Sequence, residues 1–262
     1  MNEKLIDAGV NLSSHQFSSD LPEIIARARD AQVDNMLVIG TDVDESTKAL
    51  QLAEQYQLFA SVGVHPHYAC DVSDNFITQL QLLAQNPWCK AIGECGLDFN
   101  RNLSSPEQQI SVFNAQLSLA KTLNMPVYMH ERDASEALYN CVKEYSITGV
   151  VHCFTGNKQA LERYLDLGLY IGITGWVCDE RRGIPLQQLI KYIPDDRLLI
   201  ETDAPYLIPR TIQPKPKKHR NEPAYLQYIC NMIAHLKQCS PADIAKATYA
   251  NTQHLFKLEH DR

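Results

Sequence analysis

Short apolar runs alternate with helical patterns along the whole chain, and no short repeat interrupts the alternation. Each run has the length of a β-strand, and each following segment has the apolar spacing of an amphipathic helix. Helix starts are marked locally, as at 19–22, where a capping residue precedes a proline in the first turn. The predicted strands are Leu5–Asn11, Met36–Gly40, Phe59–Val64, Lys90–Gly93, Pro126–His130, Val150–His152, Tyr170–Thr174 and Leu198–Glu201.

Eight strand-then-helix units favour a (β/α)₈ or TIM barrel, whose usual size is about 250 residues. We therefore predict one α/β barrel domain over residues 1–262. A doubly wound open sheet uses the same units and is the alternative, although no glycine-rich phosphate loop follows the early strands. The predicted helices begin near Leu21 and Asp44 and then cover about Asn75–Ala84, Pro106–Leu123, Ala134–Tyr145, Lys158–Leu167, Leu186–Tyr192, Glu222–His235 and Ser240–Phe256.

Composition narrows the class of protein. The chain has 262 residues, a hydrophobic fraction of 45% and a net charge of −7, which excludes a globally basic nucleic-acid binder but not a local basic patch. No apolar run approaches the roughly 20 residues of a transmembrane helix, and no secretory signal is evident. The eight cysteines form no Cys-x-x-Cys pair, so we expect reduced thiols in a cytoplasmic protein. We also expect a monomer without membrane association.

Acids and imidazoles collect where the predicted strands end. Since the carboxyl ends of barrel strands face one mouth, these side chains are expected to converge there. Any one of them alone is usually structural, but together they indicate a divalent metal site or an acid–base site. No Gly-x-Ser-x-Gly elbow supports a serine hydrolase instead. The residues are Asp7, His65, His67, Glu94, His130, His152 and Asp203.

Two further features follow from position. Cys95 and Cys153 each come directly after a predicted site residue, so strand alternation predicts that they face the helix layer. After Asp203, a proline-rich segment carries several cations and no acid. It is either a solvated loop or a positive rim that draws a polyanion to the mouth, and Arg181 and Arg182 could extend it. Its cations are Arg210, Lys215, Lys217, Lys218 and Arg220.

Three motifs resemble those of the TatD family of metal-dependent nucleases, in the family's order and over about 7–256. The resemblance implies a TIM-barrel hydrolase that cuts nucleic-acid phosphodiesters. Longer similar stretches at 98–102, 172–183 and 220–224 imply, more narrowly, a Mg²⁺-dependent 3′–5′ exonuclease on single-stranded DNA and RNA, linked to repair of oxidative DNA damage. The motifs are Gly93-Glu94-Cys95-Gly96-Leu97-Asp98, His152-Cys153-Phe154-Thr155-Gly156 and Glu201-Thr202-Asp203-Ala204-Pro205-Tyr206-Leu207.

One segment departs from the family pattern. The family usually begins with Asp-x-His-x-His, whereas Gly9 and Asn11 stand at the two histidine positions here. The departure leaves one complete metal site and a second, weaker one of oxygen donors that includes Asp203 and either Asn11 or Asp7. Oxygen donors favour Mg²⁺ or Mn²⁺ over Zn²⁺.

The resemblance also implies roles. Glu94, His130 and His152 hold the cation, Glu94 bridges to the second site, and Asp203 is a ligand that orients or deprotonates the attacking water. From the residues we expect His65 to contact phosphate. The nucleic-acid backbone would be guided by Arg210, Lys217, Lys218 and Arg220. Trp176 and Tyr206 either stack on bases or pack in the core. The alternatives are a barrel hydrolase of another ester, such as an aminoacyl-tRNA deacylase, and a nucleic-acid-binding protein with a decayed site.

Overall fold

The computed structural model describes residues 3–216 and 219–258. Its eight strands are parallel, and each pairs with the next along the chain. They are β1 (Leu5–Val10), β2 (Val33–Val38), β3 (Phe59–Val62), β4 (Cys89–Asp98), β5 (Val127–Arg132), β6 (Gly149–Val151), β7 (Tyr170–Ile173) and β8 (Leu198–Ile200).

The ring of strands closes just beyond the end of β8. The backbone N–H of Asp203 donates to the carbonyl of Gly9 at 3.0 Å, and the N–H of Asn11 donates to the carbonyl of Ala204 at 2.9 Å. The predicted TIM barrel is therefore confirmed, and the open doubly wound sheet is wrong. Closure also brings Asn11 and Asp203 to the same side of the mouth.

A helical segment follows each strand, and a further α-helix ends the described chain. Several bounds differ from the prediction because 3₁₀ turns take over at helix ends: the predicted helix at 186–192 ends in one, and the helix predicted from Glu222 begins with one. The helices are α1 (Leu21–Asp30), α2 (Val43–Tyr56), α3 (Phe76–Leu83), α4 (Pro106–Leu123), α5 (Ser135–Val142), α6 (Lys158–Asp166), α7 (Ile184–Leu189), α8 (Leu226–Lys237) and α9 (Pro241–Phe256).

Strand β4 is longer than predicted and runs to Asp98 rather than ending at Gly93. Gly93 and Gly96 both have φ of 138°, a region that L side chains rarely adopt. A Cβ at either position would come within 2.0–2.2 Å of a carbonyl oxygen of β5. The two glycines thus allow β4 and β5 to pass at close range with a register shift, and Glu94 between them reaches the barrel mouth.

The buried apolar side chains form two layers. A small inner cluster fills the barrel with residues such as Ile6, Ala91 and Tyr128, and a larger outer cluster joins the strands to the helices. This is the alternation expected of barrel strands, whose successive side chains face opposite sides. Within the described ranges, no helix is both long enough and apolar enough to span a bilayer.

Candidate metal centre at the mouth of the barrel

One carboxylate oxygen stands at the centre of the polar cluster. Oε1 of Glu94 lies 3.0 Å from Nε2 of His152, 3.1 Å from Nδ1 of His130 and 3.4 Å from Nε2 of His65. Glu94 and His130 lie on β4 and β5, while His65 and His152 follow β3 and β6. Residues predicted from separate strand ends therefore meet within hydrogen-bonding range.

The four groups perturb one another. Burial alone would raise the pKa of Glu94, but the imidazoles, His152 foremost, hold it well below its usual range. Burial would lower the pKa of His152 and His130, yet neighbouring carboxylates outweigh it and raise both. Burial dominates at His65 and lowers its pKa to about 4 despite Glu94. Glu94 is therefore anionic at neutral pH, and His65 is neutral.

His130 and His152 share an arrangement: one ring nitrogen faces Glu94, and the other faces a second carboxylate. Nε2 of His130 lies 3.3 Å from Oδ2 of Asp98, and Nδ1 of His152 lies 3.3 Å from Oε1 of Glu201. A carboxylate behind an imidazole favours the hydrogen on that rear nitrogen, although Nε2 of His130 lies close to Asp98 without a well-aligned hydrogen bond. The nitrogen that faces Glu94 is then the one whose hydrogen a metal ion can displace to gain a lone pair.

In His65 the positions of the ring hydrogen and the lone pair are reversed. Its Nδ1 accepts a hydrogen bond from the backbone N–H of His67 at 3.1 Å, so the hydrogen of the neutral ring is on Nε2. That Nε2–H points at Glu94. Ligand atoms of His65, Glu94 and His130 all lie within 4.8 Å of one another. The neutral ring of His65, however, presents an N–H group to Glu94 and not the lone pair that a metal ligand needs.

The donor set fits a divalent cation. A carboxylate and two imidazoles converge on one point, where each can offer a lone pair to a cation. Asp98 is itself fully buried and bonded to the ring of His67 at 2.7 Å. The residues present thus form a possible metal site with supporting groups behind each imidazole.

Asp203 lies beside this centre, just after β8. Its Oδ1 accepts a hydrogen bond from the side-chain amide of Asn11 at 2.9 Å. Burial, together with the negative charges of Glu94 and Glu201, raises the pKa of Asp203 to about 7, although His152 opposes the shift. The amide of Asn11 therefore holds the carboxyl group of Asp203 in place.

Asp7, the other acid at the end of the first run, has a structural place. It is fully buried, and its carboxylate accepts the backbone N–H of Thr202 at 2.8 Å and that of Gly9 at 3.3 Å. The hydroxyl of Thr202 donates to its second oxygen. Burial raises the pKa of Asp7 to about 8. Asp7 thus joins β1 to the chain after β8, beneath the centre.

The pattern of strand ends in the sequence does not identify two residues that lie near the centre. The hydroxyl of Tyr128 donates to Oε2 of Glu201 at 2.5 Å and lies 3.0 Å from Nδ1 of His152. Tyr128 is two positions before His130 on β5, so both side chains face the barrel interior. That spacing was the available signal, but a strand tyrosine is most simply interpreted as core.

Arg132 also went unnoticed, and it follows the same spacing toward the mouth. Its guanidinium donates to the hydroxyl of Thr155 at 3.0 Å and lies 5.7 Å from the ring of Trp176. The guanidinium of Arg182 lies 4.6 Å from that ring. Arg132 forms no ion pair with any carboxylate that the structure describes. We call Arg132, Thr155, Trp176 and Arg182 the arginine–tryptophan rim.

The predicted basic segment divides into parts with different surroundings. Arg210 is partly buried, and its charge faces Asp179 at 3.6 Å, an acid that also pairs with Arg181 and Arg182. Lys215 is exposed. Lys217 and Lys218 lie outside the described residues.

Arg220 points inward, away from the solvent. It is 7% exposed and donates to both oxygens of Asp20 at 2.8 Å, to Glu222 at 3.0 Å and to the carbonyl of Gln16 at 2.6 Å. Its guanidinium lies 5.0 Å from the ring of Phe17. This arrangement does not favour the predicted contact with substrate, because Asp20, from another part of the chain, and the neighbouring Glu222 already pair with its charge.

The remaining expectations concern cysteines and aromatics. Cys95 is fully buried in the outer layer, as predicted. The alternation behind the prediction does not extend to Cys153, which lies beyond β6 with φ of 46° and whose thiol lies 3.4 Å from the hydroxyl of Thr174. Trp176 is partly buried, whereas Tyr206 is 53% exposed beside Asp203.

Known proteins resemble this chain along nearly its whole length. The family described as TatD related DNase matches residues 6–257. A protein of Edwardsiella piscicida named 3′-5′ ssDNA/RNA exonuclease TatD is 48% identical over 259 residues, which cover 97% of this chain and 100% of that protein. A relative of the same name from Salmonella typhimurium is 48% identical over 258 residues, 97% of this chain and 99% of that protein.

A solved structure has the same fold and a related sequence. A TatD homologue from Escherichia coli K12 superposes with a TM-score of 0.90 at 31% identity, and the match covers 99% of this chain and 100% of that one.

Proposed function

Since the chain belongs to the TatD-related DNase family, hydrolases that act on phosphodiester bonds, we propose that it is a metal-dependent 3′–5′ exonuclease that degrades single-stranded DNA and RNA. The polarity and the single-stranded substrates come from the names of relatives about half identical to it over nearly their whole length. The observation that carries the metal-dependent part is the convergence of His130 and His152 on Glu94.

Glu94, Nδ1 of His130 and Nε2 of His152 would hold the cation. A bound divalent cation supplies positive charge that stabilises a phosphoryl group under attack and lowers the pKa of coordinated water. The carboxylates behind the two imidazoles keep both rings oriented for this task. Within β1, Gly9 offers no side-chain donor, so we propose one complete site and a second, weaker one of oxygen donors that includes Asp203, and oxygen donors favour Mg²⁺ or Mn²⁺ over Zn²⁺.

Asp203 is proposed as the proton acceptor. The amide of Asn11 engages Oδ1, which leaves Oδ2 available to a water molecule. As the water oxygen bonds to phosphorus, its proton passes to Asp203, and the bond from phosphorus to the leaving sugar oxygen breaks. His65, as a neutral Nε2–H donor aimed at the centre, would bind a phosphate oxygen as charge accumulates on it.

The arginine–tryptophan rim is proposed to hold the strand next to the scissile bond. Arg132 has a hydroxyl and a ring as neighbours but no described carboxylate to neutralise it, so its charge is available to a backbone phosphate. Trp176 and the exposed Tyr206 offer rings on which bases stack without sequence preference. Arg210, Lys217 and Lys218 would extend the positive surface along the loop.

Several expectations stay predictions: a monomer, a single domain, a cytoplasmic location and a role in repair of oxidative DNA damage. The other two functions considered, an ester hydrolase such as an aminoacyl-tRNA deacylase and a binding protein with a decayed site, have no observation in their favour. The intact donor set around Glu94 speaks against decay.

The experiment uses metal-stripped protein with single-stranded oligonucleotides labelled at the 5′ or the 3′ end. Mg²⁺, Mn²⁺ and Zn²⁺ are added back separately. We expect early release of the 3′ label as mononucleotide and a descending ladder of 5′-labelled products with Mg²⁺ or Mn²⁺. Binding without cleavage under every metal would contradict the proposal, and hydrolysis of an aminoacyl ester alone would favour the first alternative.

A further inference from the structure

Gly9 and Tyr128 occupy one space from two opposite strands. A Cβ added at Gly9 would lie 1.8 Å from the Tyr128 hydroxyl oxygen and 2.9 Å from Oε2 of Glu201. Real Cβ atoms essentially never approach within 3.0 Å, so no larger residue fits at position 9 while Tyr128 stays in place. The absence of a side chain on β1 is therefore what admits a phenol hydroxyl to the floor of the centre.

The hydroxyl uses both of its hydrogen-bonding functions there. Its hydrogen is donated to Oε2 of Glu201 at 2.5 Å, so its oxygen must accept at the 3.0 Å contact with Nδ1 of His152. Glu201 is fully buried, and its other oxygen accepts the backbone N–H of Cys153 at 2.6 Å. A fixed chain of donors thus runs from His152 through Tyr128 to Glu201.

These hydrogen bonds determine which nitrogen of the His152 imidazole carries the hydrogen when the ring is neutral. With Nδ1 acting as the donor to Tyr128, Nε2 of His152 is the nitrogen available to a cation, and it faces Glu94 at 3.0 Å. The two rings also stack, with centroids 4.9 Å apart and planes inclined by 30°, so the plane of the imidazole is held as well.

We propose that the Tyr128 hydroxyl is a positioning group for the metal site: together with Glu201, it fixes the tautomer and orientation of His152 in the space that Gly9 leaves open. This inference rests on the proposed metal-dependent function. Tyr128 itself touches neither substrate nor cation in this scheme, because it lies behind the imidazole rather than in front of it.

The test is Tyr128→Phe, which keeps the ring in the inner core and removes only the hydroxyl. Mn²⁺ is titrated into metal-stripped protein and its binding is followed by electron paramagnetic resonance. We expect affinity about 10- to 100-fold weaker than that of the unmodified protein, the range for lost partners behind a ligand. In Zn²⁺-loaded protein, the ring ¹⁵N–H signal of His152, assigned by its loss in His152→Gln, should shift.

Tyr164→Phe is the matched control. Tyr164 is also fully buried and bonded to a glutamate, Glu131 at 3.3 Å, but among side chains of the outer layer. It should lose stability without losing Mn²⁺ affinity. If Tyr128→Phe does not fold, Gly9→Ala serves instead, because its methyl group must displace the hydroxyl and should weaken Mn²⁺ binding in the same direction.

The outcomes separate two failures. If the unmodified protein binds no Mn²⁺, the proposed function fails. If the unmodified protein binds Mn²⁺ and Tyr128→Phe binds it equally well with an unshifted His152 signal, the positioning role is wrong while the proposed function stands.

Discussion

Nδ1 of His65 accepts the backbone N–H of His67 at 3.1 Å, and this bond places the ring hydrogen of His65 on Nε2. His152 has the reverse arrangement, with its rear nitrogen donating to Tyr128 and Glu201. Two histidines that contact the same oxygen of Glu94 are thereby prepared for different tasks. One offers a hydrogen to a phosphate, and the other offers a lone pair to a cation.

This difference predicts a split between two variants. His65→Ala should leave Mn²⁺ affinity near that of the unmodified protein and lower kcat by about 100-fold, the effect of losing one aimed donor. His152→Ala should instead weaken Mn²⁺ binding by more than about 100-fold, because it removes a ligand. Titration calorimetry and single-turnover cleavage measure the two effects. Equal losses of Mn²⁺ affinity would mean that His65 is a ligand.

Arg132 should contribute charge to substrate binding without contributing to catalysis. Arg132→Gln should weaken binding of a single-stranded oligonucleotide and reduce the slope of log Kd against log salt by about 0.7, the value for one phosphate on a single strand. Fluorescence anisotropy over a salt series checks this. Arg163→Gln, an arginine of α6 paired with Glu136, is the control and should leave the slope unchanged. A slope unaltered by Arg132→Gln would remove Arg132 from the substrate path.

Lys217 and Lys218 carry a sequence-based prediction of their own. Changing both to alanine should weaken oligonucleotide binding. It should also reduce the slope of log Kd against log salt by about 1.4, the value for two phosphates on a single strand. The control changes Lys48 and Lys158, which pair with Glu45 and Glu162 on α2 and α6. If both double variants have the salt slope of the unmodified protein, the loop is only a solvated surface.

Arg220 should matter for stability. Arg220→Ala removes the buried cation that Asp20 and Glu222 share and leaves them the half-exposed Arg27, and removing one partner of a buried ion pair costs up to about 3 kcal/mol. Urea unfolding measures the change in the free energy of unfolding. Arg163→Ala breaks an exposed pair and should leave the free energy of unfolding nearly unchanged. If Arg220→Ala keeps full stability but flattens the salt dependence of oligonucleotide binding, the predicted contact of Arg220 with substrate is right.

The sequence predicts the strand ends of the barrel well because one physical rule governs them. The carboxyl ends of all eight strands face a common mouth, so Glu94, His130, His152 and Asp203 could be grouped without knowing any distance. The rule works from chain order and apolar runs alone. It also indicated that Cys95 faces the helices, since β4 continues through that position.

What could not be predicted depends on partners from distant parts of the chain. Arg220 looked free because its own segment holds no acid, whereas its main partner, Asp20, precedes α1. Tyr128 resembled an ordinary core aromatic in the sequence, because the space for its hydroxyl group depends on the absence of a side chain at Gly9, on the opposite side of the barrel. Arg132 was overlooked for a similar reason, since nothing local reveals that no described carboxylate pairs with it.

The most direct test of the central claim is the release of 3′ nucleotides by Glu94→Ala in the presence of Mg²⁺. We expect a loss of more than about 100-fold, because the carboxylate that anchors the cation and three imidazoles is gone, while circular dichroism still reports a folded barrel. Glu162→Ala, an exposed glutamate of α6, should retain full activity. Mg²⁺-dependent cleavage by Glu94→Ala at the rate of the unmodified protein would contradict the account.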